Sequence, residues 1–324
     1  MSEFRINRPC LALCAKAASV QKLPRPALWL SGLLLAAAAA VSAQAQSQAR
    51  TEARTQTLVV PTRVQVPSLE TMQSQVLSLP GYWFAAPDAN PVRPAPAIVL
   101  LHGCGGALNR QGALTARMTE YSAMLNAEGW HVLVLDSLTP RGEREICTQK
   151  IGTRAITMTE RRNDTLGALA WLAAQTGVDG SRLALLGWSN GGSAVLSSTN
   201  LGQAQVAAAP IKPRAAVAFY PGCEAELRRG YAPSAPLLML VGAADDWTPA
   251  APCEALARQT GAPQPMISSY TGAFHGFDSA APVRLRTDVP NGARPGAGVH
   301  VGGQAEALVR SREDLLGFLR ESLQ

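Results

Sequence analysis

Ser189, Asp245 and His275 have the types and the chain order needed for acyl transfer. A hydroxyl attacks, an imidazole takes its proton, and a carboxylate orients the imidazole. Ser189 stands in Gly187-Trp188-Ser189-Asn190-Gly191, directly after the apolar run Leu183 to Leu186. Glycines at this spacing let a strand turn sharply into a helix, because side chains there would collide with the neighbouring strand and helix. The plain alternative is a strand-to-helix turn in which Ser189 only caps the helix. The residues downstream of the turn favour chemistry. The buried-strand run Leu237 to Val241 leads into Asp245 and Asp246, side by side. An orienting acid lies in the turn just past its strand, which favours Asp245 and leaves Asp246 as a loop carboxylate or the cap of a helix predicted over 249–260. His275 comes after the strand run Met266 to Tyr270, and Gly276 beside it leaves room for a mobile imidazole.

A serine nucleophile also needs donors for the oxyanion. The apolar run Ala97 to Leu101 ends in His102-Gly103-Cys104-Gly105-Gly106, a loop whose backbone can approach a ligand closely. The expected donors are the backbone N–H groups of Cys104 and Asn190, while His102 orients the loop. Beyond the strand His131 to Asp136, the polar loop 137–150 carries Arg141 and Arg144. These are either substrate-binding residues that grip a carboxylate bidentately or surface arginines beside Glu143 and Glu145. The chemistry needs no metal and no organic cofactor.

The elements that position these residues read as α/β. Continuous apolar runs at 97–101, 131–135, 183–186, 215–220 and 237–241 are those of strands buried on both faces, and helical spacing recurs between them at 114–128 and 154–174. The pattern predicts a doubly wound, mostly parallel sheet, and Ser, then Asp, then His is the chain order of the α/β-hydrolase fold. The insertion Glu224 to Pro236 is short, so the lid is minimal and the pocket suits small or extended esters. The glycine- and proline-rich segment 280–303, with Arg284, Arg286 and Arg294, is placed to fold over the site's rim. An amphipathic helix over 306–323 closes the chain.

Residues 1–45 read as a secretory signal peptide. Basic residues precede an apolar run from Ala27 to Val41, and Ala43-Gln44-Ala45 is a small-x-small cleavage signal before Gln46. That run is short for a membrane span, so no stable membrane insertion is expected after cleavage. Residues 46–78 read as an N-terminal arm or linker with one edge strand at 57–60 or 64–66, and 79–324 as the hydrolase domain. The leader holds five of the 29 Lys and Arg and one of the 23 Asp and Glu, which leaves 24 basic against 22 acidic residues. A near-neutral mature chain without a basic aromatic stripe argues against a nucleic-acid partner. Four of the six cysteines lie after the leader: Cys104, Cys147, Cys223 and Cys253. Three pairings are open; Cys104 with Cys147 and Cys223 with Cys253 are favoured, since each pair would share loops at the sheet's carboxyl edge. An exported, periplasmic or secreted chain is expected.

Together, the 102–106 loop, Gly187 to Gly192, Gly242 with Asp245, Thr248 and Pro249, and Ala273 to Phe277 resemble the dienelactone hydrolase family over roughly residues 80–322. The resemblance implies a hydrolase acting on small-molecule esters, and its Asp-x-x-small-Pro spacing supports Asp245. Dienelactone hydrolases proper use cysteine where this chain has Ser189, which points to a general serine esterase. The elbow also resembles that of prolyl-oligopeptidase-type peptidases, and a non-catalytic binding protein on the same scaffold is the remaining alternative.

Overall fold

The computed structural model describes residues 60–324; the leader and the first part of the arm lie outside the described residues. Eight strands form one sheet: β1 (Thr62–Met72), β2 (Gln75–Phe84), β3 (Ala95–Leu101), β4 (His131–Leu135), β5 (Val178–Trp188), β6 (Ala215–Phe219), β7 (Leu237–Gly242) and β8 (Met266–Tyr270). Their spatial order is β1-β2-β4-β3-β5-β6-β7-β8. The β1–β2 and β2–β4 pairs are antiparallel, and the rest of the sheet is parallel.

Burial on both faces explains the unbroken apolar strands. Successive side chains of a strand point to opposite faces, and here alternate residues enter two separate cores. Val99, Leu101, Leu185, Ala218 and Met239 face one layer; Ile98, Leu100, Leu186, Phe219 and Leu240 face the other. The first layer is covered by helices α2 (Met158–Ala173) and α3 (Asn190–Thr199), the second by α1 (Ala116–Ala127). The short α4 (Ala204–Ala208) and α5 (Glu224–Arg229) come next, then α6 (Ala250–Gln259) on the first face and α7 (Ala305–Ser322) on the second. Each large aliphatic side chain buried this way contributes about 1.5–3 kcal/mol. A ribbon of β9 (Arg284–Arg286) and β10 (Val299–Val301) stands apart from the main sheet within the 280–303 segment.

The expected N-terminal arm is largely part of the sheet. Residues 62–72 form a full edge strand and residues 75–78 open β2, so most of the described arm is paired. Of the two expected edge-strand positions, 64–66 lies within β1, and its full extent is obscured because one face of an edge strand meets solvent: only Val66 and Ser68 of β1 are buried, and the register shifts between Pro67 and Thr71. Its backbone lies so close to α2 that a Cβ at Gly167 would be 2.2 Å from the Pro67 carbonyl oxygen.

Polar contacts lock the same place. The Ser68 hydroxyl donates to Asp164 Oδ1 at 2.7 Å, and Arg141 donates to both Asp164 oxygens at 2.8 and 2.9 Å, to the Ser137 carbonyl at 2.6 Å, and to Glu70. Arg141, a candidate either for a substrate carboxylate or for a surface pair with Glu143 or Glu145, does neither: its side chain is 7% exposed and ties β1, α2 and the 137–150 loop together through Glu70 and Asp164. Removing one member of a buried pair strands the other, at a cost of about 3–5 kcal/mol. Asp164→Ala is accordingly expected to lower the unfolding free energy by about 3–5 kcal/mol in urea. A change below about 1 kcal/mol, the usual worth of an exposed pair, would show that solvent already screens the cluster.

Candidate active site

The elbow begins with steric necessity. A Cβ at Gly191 would sit 2.0 Å from the Leu101 carbonyl oxygen, and one at Gly187 would sit 2.3 Å from the Gly191 carbonyl oxygen. Strand β3, strand β5 and helix α3 thus meet at backbone contact, and only glycine fits there. Ser189 takes φ 55° and ψ −117° at this turn, a conformation that a residue with a side chain rarely adopts. Its N–H is held by the Phe219 carbonyl at 2.9 Å. The side chain projects from the carboxyl edge of the sheet, where ligands of open α/β folds collect.

His275 and Asp245 arrive on the loops after β8 and β7. A Cβ at Gly242 would sit 2.4 Å from the Ala273 carbonyl oxygen, so the two loops pack backbone to backbone. The Ala244 N–H also donates to that carbonyl, at 3.0 Å. The result is one line of hydrogen bonds: His275 Nε2 lies 2.9 Å from Ser189 Oγ, and His275 Nδ1 lies 2.8 Å from Asp245 Oδ2. Asp245 Oδ1 accepts from the Trp247 and Thr248 N–H groups at 2.8 and 2.9 Å. With a carboxylate oxygen facing Nδ1, that nitrogen donates to Asp245 and Nε2 is left facing the serine hydroxyl. The Tyr220 and Trp247 rings flank the imidazole, each with its centroid 4.6 Å away. Asp246, the rejected neighbour, instead pairs with His300.

The 102–106 loop lies beside the nucleophile, where a Cβ at Gly103 would be 3.5 Å from that of Ser189. Asn190 opens α3, so its N–H has no partner within the helix. Cys104 is joined to Cys147, and its carbonyl accepts from the Ile146 N–H at 2.8 Å. The second disulfide, Cys223 to Cys253, links the start of α5 to α6, so both favoured pairings are formed. His102 is fully buried: Nδ1 donates to the Gly103 carbonyl at 2.7 Å and Nε2 accepts from the Ser137 N–H at 3.2 Å. Arg161, also buried, donates to the His102 carbonyl at 2.8 Å. Sequence reading missed Arg161, since a helix position gives no sign that its side chain reaches a loop 59 residues earlier.

A cavity of about 550 Å³ opens above Ser189 and His275, with Cys104, Trp247, Arg117 and Arg284 among its walls. Arg141 and Arg144 are not among the lining residues; Arg144 reaches the Arg110 carbonyl at 3.4 Å. The arginines at the cavity are Arg117, Arg284 and Arg286. Arg117 is neutralised by Asp278, a fully buried carboxylate that also accepts from the Trp188 indole at 2.9 Å and the Tyr220 hydroxyl at 2.7 Å. Burial alone would raise the Asp278 pKa, but the Arg117 charge and these donors hold it below the usual carboxylate range. Asp278 lies one short step past His275 in the chain, a position that by itself does not announce the three partners it gathers. Among the described residues no group of His, Cys, Asp and Glu is arranged to hold a metal ion.

The sequence model of the dienelactone hydrolase family matches residues 81–321. This chain belongs to the dienelactone hydrolase family. Family membership makes it a hydrolase of the esterase type. Solved structures carry the same fold. A dienelactone hydrolase-like promiscuous phosphotriesterase from metagenomic libraries is 21% identical with TM-score 0.54, covering 82% of this chain and 100% of that one. A thermophilic esterase from the Planctomycetes species Thermogutta terrifontis is 16% identical with TM-score 0.52, covering 82% and 93%. A Mycobacterium tuberculosis puromycin-hydrolysing peptidase is 20% identical with TM-score 0.56; the match covers 82% of this chain and 40% of the peptidase. No curated protein sequence matches the chain.

Burial and the nearby Arg161 charge push the His102 pKa well below 6.5, and burial lowers that of His131. The unfolded chain therefore binds protons that the folded chain refuses. Stability is complete above about pH 6.5 and declines as pH falls below it, by up to about 1.4 kcal/mol per pH unit for each histidine. Urea unfolding between about pH 7.5 and pH 5 should show this slope, and His102→Gln should flatten it. An unchanged slope would mean that other groups govern acid sensitivity.

Proposed function

We propose that the protein is an exported serine esterase that transfers the acyl group of carboxylic esters to water through Ser189, His275 and Asp245. The observation that carries this reading is the hydrogen-bonded line from Asp245 through His275 to Ser189 at the floor of an open cavity. Ser189 Oγ attacks the ester carbonyl as His275 Nε2 takes its proton. The backbone N–H groups of Cys104 and Asn190 receive the oxyanion, about 3–4 kcal/mol each in comparable sites. His275 then protonates the leaving alcohol, and a water deprotonated by the same nitrogen releases the acid. Asp245 holds the imidazole tautomer and stabilises the imidazolium. Two disulfides support an oxidising compartment, and among the described residues no helix is long and apolar enough to cross a membrane. Of the arginines at the cavity, Arg284 alone has no carboxylate partner among the described residues, which makes it the residue to contact an anionic substituent.

Hydrolysis of p-nitrophenyl acetate by the mature protein tests the reading. Ser189→Ala should remove the activity, and Asp245→Asn should lower kcat by about 10⁴. Activity that survives in Ser189→Ala would sink it, and faster cleavage of the matching p-nitroanilides would favour a peptidase. Arg284→Ala should raise KM for p-nitrophenyl hemisuccinate several-fold more than for the acetate. An equal change on both would remove Arg284 from substrate contact.

A further inference from the structure

The 280–303 segment is a strap across one side of the cavity. It contributes Pro282, Arg284, Arg286, Val301 and Gly302 to the wall, with β9 and β10 paired through Arg284 to Val301 and Arg286 to Val299. The strap is anchored at several points. The Gly302 N–H donates to the His275 carbonyl at 2.9 Å, and Asn291 exchanges bonds with Ile151 and Gln149 at 2.8 Å. The densest anchor is Asp246. Its Oδ1 accepts the His300 N–H at 2.8 Å, its Oδ2 lies 2.7 Å from His300 Nδ1, and its carbonyl accepts the Ala293 N–H at 2.8 Å. The His300 ring also packs on Phe274, centroid to centroid 4.9 Å. Asp246 adjoins Asp245, and Phe274 adjoins His275. One histidine thus fastens the strap to both loops that carry the reactive line.

The geometry points to His300 and Asp246 as positioning residues that set the size of ester the cavity admits. Neither lines the cavity. They act by giving a two-stranded ribbon, which in isolation is marginal in water, its densest side-chain anchor beside the Gly302 and Asn291 contacts. With the latch intact, the strap is a fixed wall and large acyl groups meet it. With the latch broken, the wall gives and large groups are admitted, while a small acyl group, which never reaches the wall, is cleaved much as before. This inference rests on the esterase reading for its kinetic half only.

Two measurements on the mature protein test it. The first is kcat/KM on p-nitrophenyl acetate, butyrate and hexanoate for wild type, His300→Ala, Asp246→Ala and His300→Asn. In the two alanine variants the hexanoate-to-acetate ratio should rise by roughly fivefold or more, through KM rather than kcat, since pocket fit discriminates by about tenfold or more per group. His300→Asn, whose amide can still donate to Asp246, should return toward the wild-type ratio. The second is trypsin cleavage after Arg284 and Arg286, which should quicken in both alanine variants at unchanged Tm. A uniform loss on all three esters, or an unchanged ratio, overturns the selectivity role. Unchanged cleavage rates overturn the latch itself, and this readout stands even if the wild type cleaves no ester.

Discussion

Everything at this site depends on backbone contact at the elbow. The Leu101 carbonyl, the end of β5 and the start of α3 approach so closely that a single added methyl group at Gly187 or Gly191 would overlap a carbonyl oxygen. That contact forces Ser189 into a backbone conformation with positive φ, and the strain is sustained by the packed sheet on both sides. The same contact also shapes what surrounds the hydroxyl. It brings the N-terminus of α3 and the 102–106 loop to the two flanks of one hydroxyl, so the serine's position and its electrostatic surroundings have a common origin.

A second level of organisation surrounds that point. The loops after β3, β4, β6, β7 and β8 are irregular, and each is tied down by a buried polar or covalent link. His102 and Arg161 hold the first, with the Cys104–Cys147 disulfide fastening it to the 137–150 loop. Asp278 draws Trp188, Tyr220 and Arg117 together behind the imidazole. Asp246 and His300 brace the strap from outside. Buried polar groups are costly unless satisfied, so the His102–Arg161 and Asp278 networks are also directional constraints that apolar packing would not supply.

The arginines show how far charge can mislead when read along the chain. Arg141 lies in a polar loop at the correct edge of the sheet, and its type suits a substrate carboxylate. In the fold, Asp164 on α2 and Glu70 on the edge strand both pair with it, and it does not reach the cavity. The cavity's cations come instead from α1 and from the strap, segments far apart in sequence from the elbow and from each other. The edge strand β1 was only partly legible, as the 64–66 alternative, for a related reason: its pattern is mostly polar because one of its faces is solvent, and its partner is a hairpin neighbour that turns through Gln73 and Ser74 at positive φ without a glycine.

The sequence by itself determined the layered α/β architecture, since strands buried on both faces must be apolar throughout and helices between them must be amphipathic. It also singled out Ser189, Asp245 and His275 as candidates and marked the loop carrying Cys104, because glycine spacing, turn position and strand order are legible along the chain; of the three open cysteine pairings it favoured the one that the fold forms. Only the tertiary structure decided what each loop side chain touches. Asp164 claims Arg141, Asp278 neutralises Arg117, and His300 reaches Asp246 across 54 residues. Such pairings depend on which loops become neighbours after the sheet has formed, and no periodicity in the chain records that.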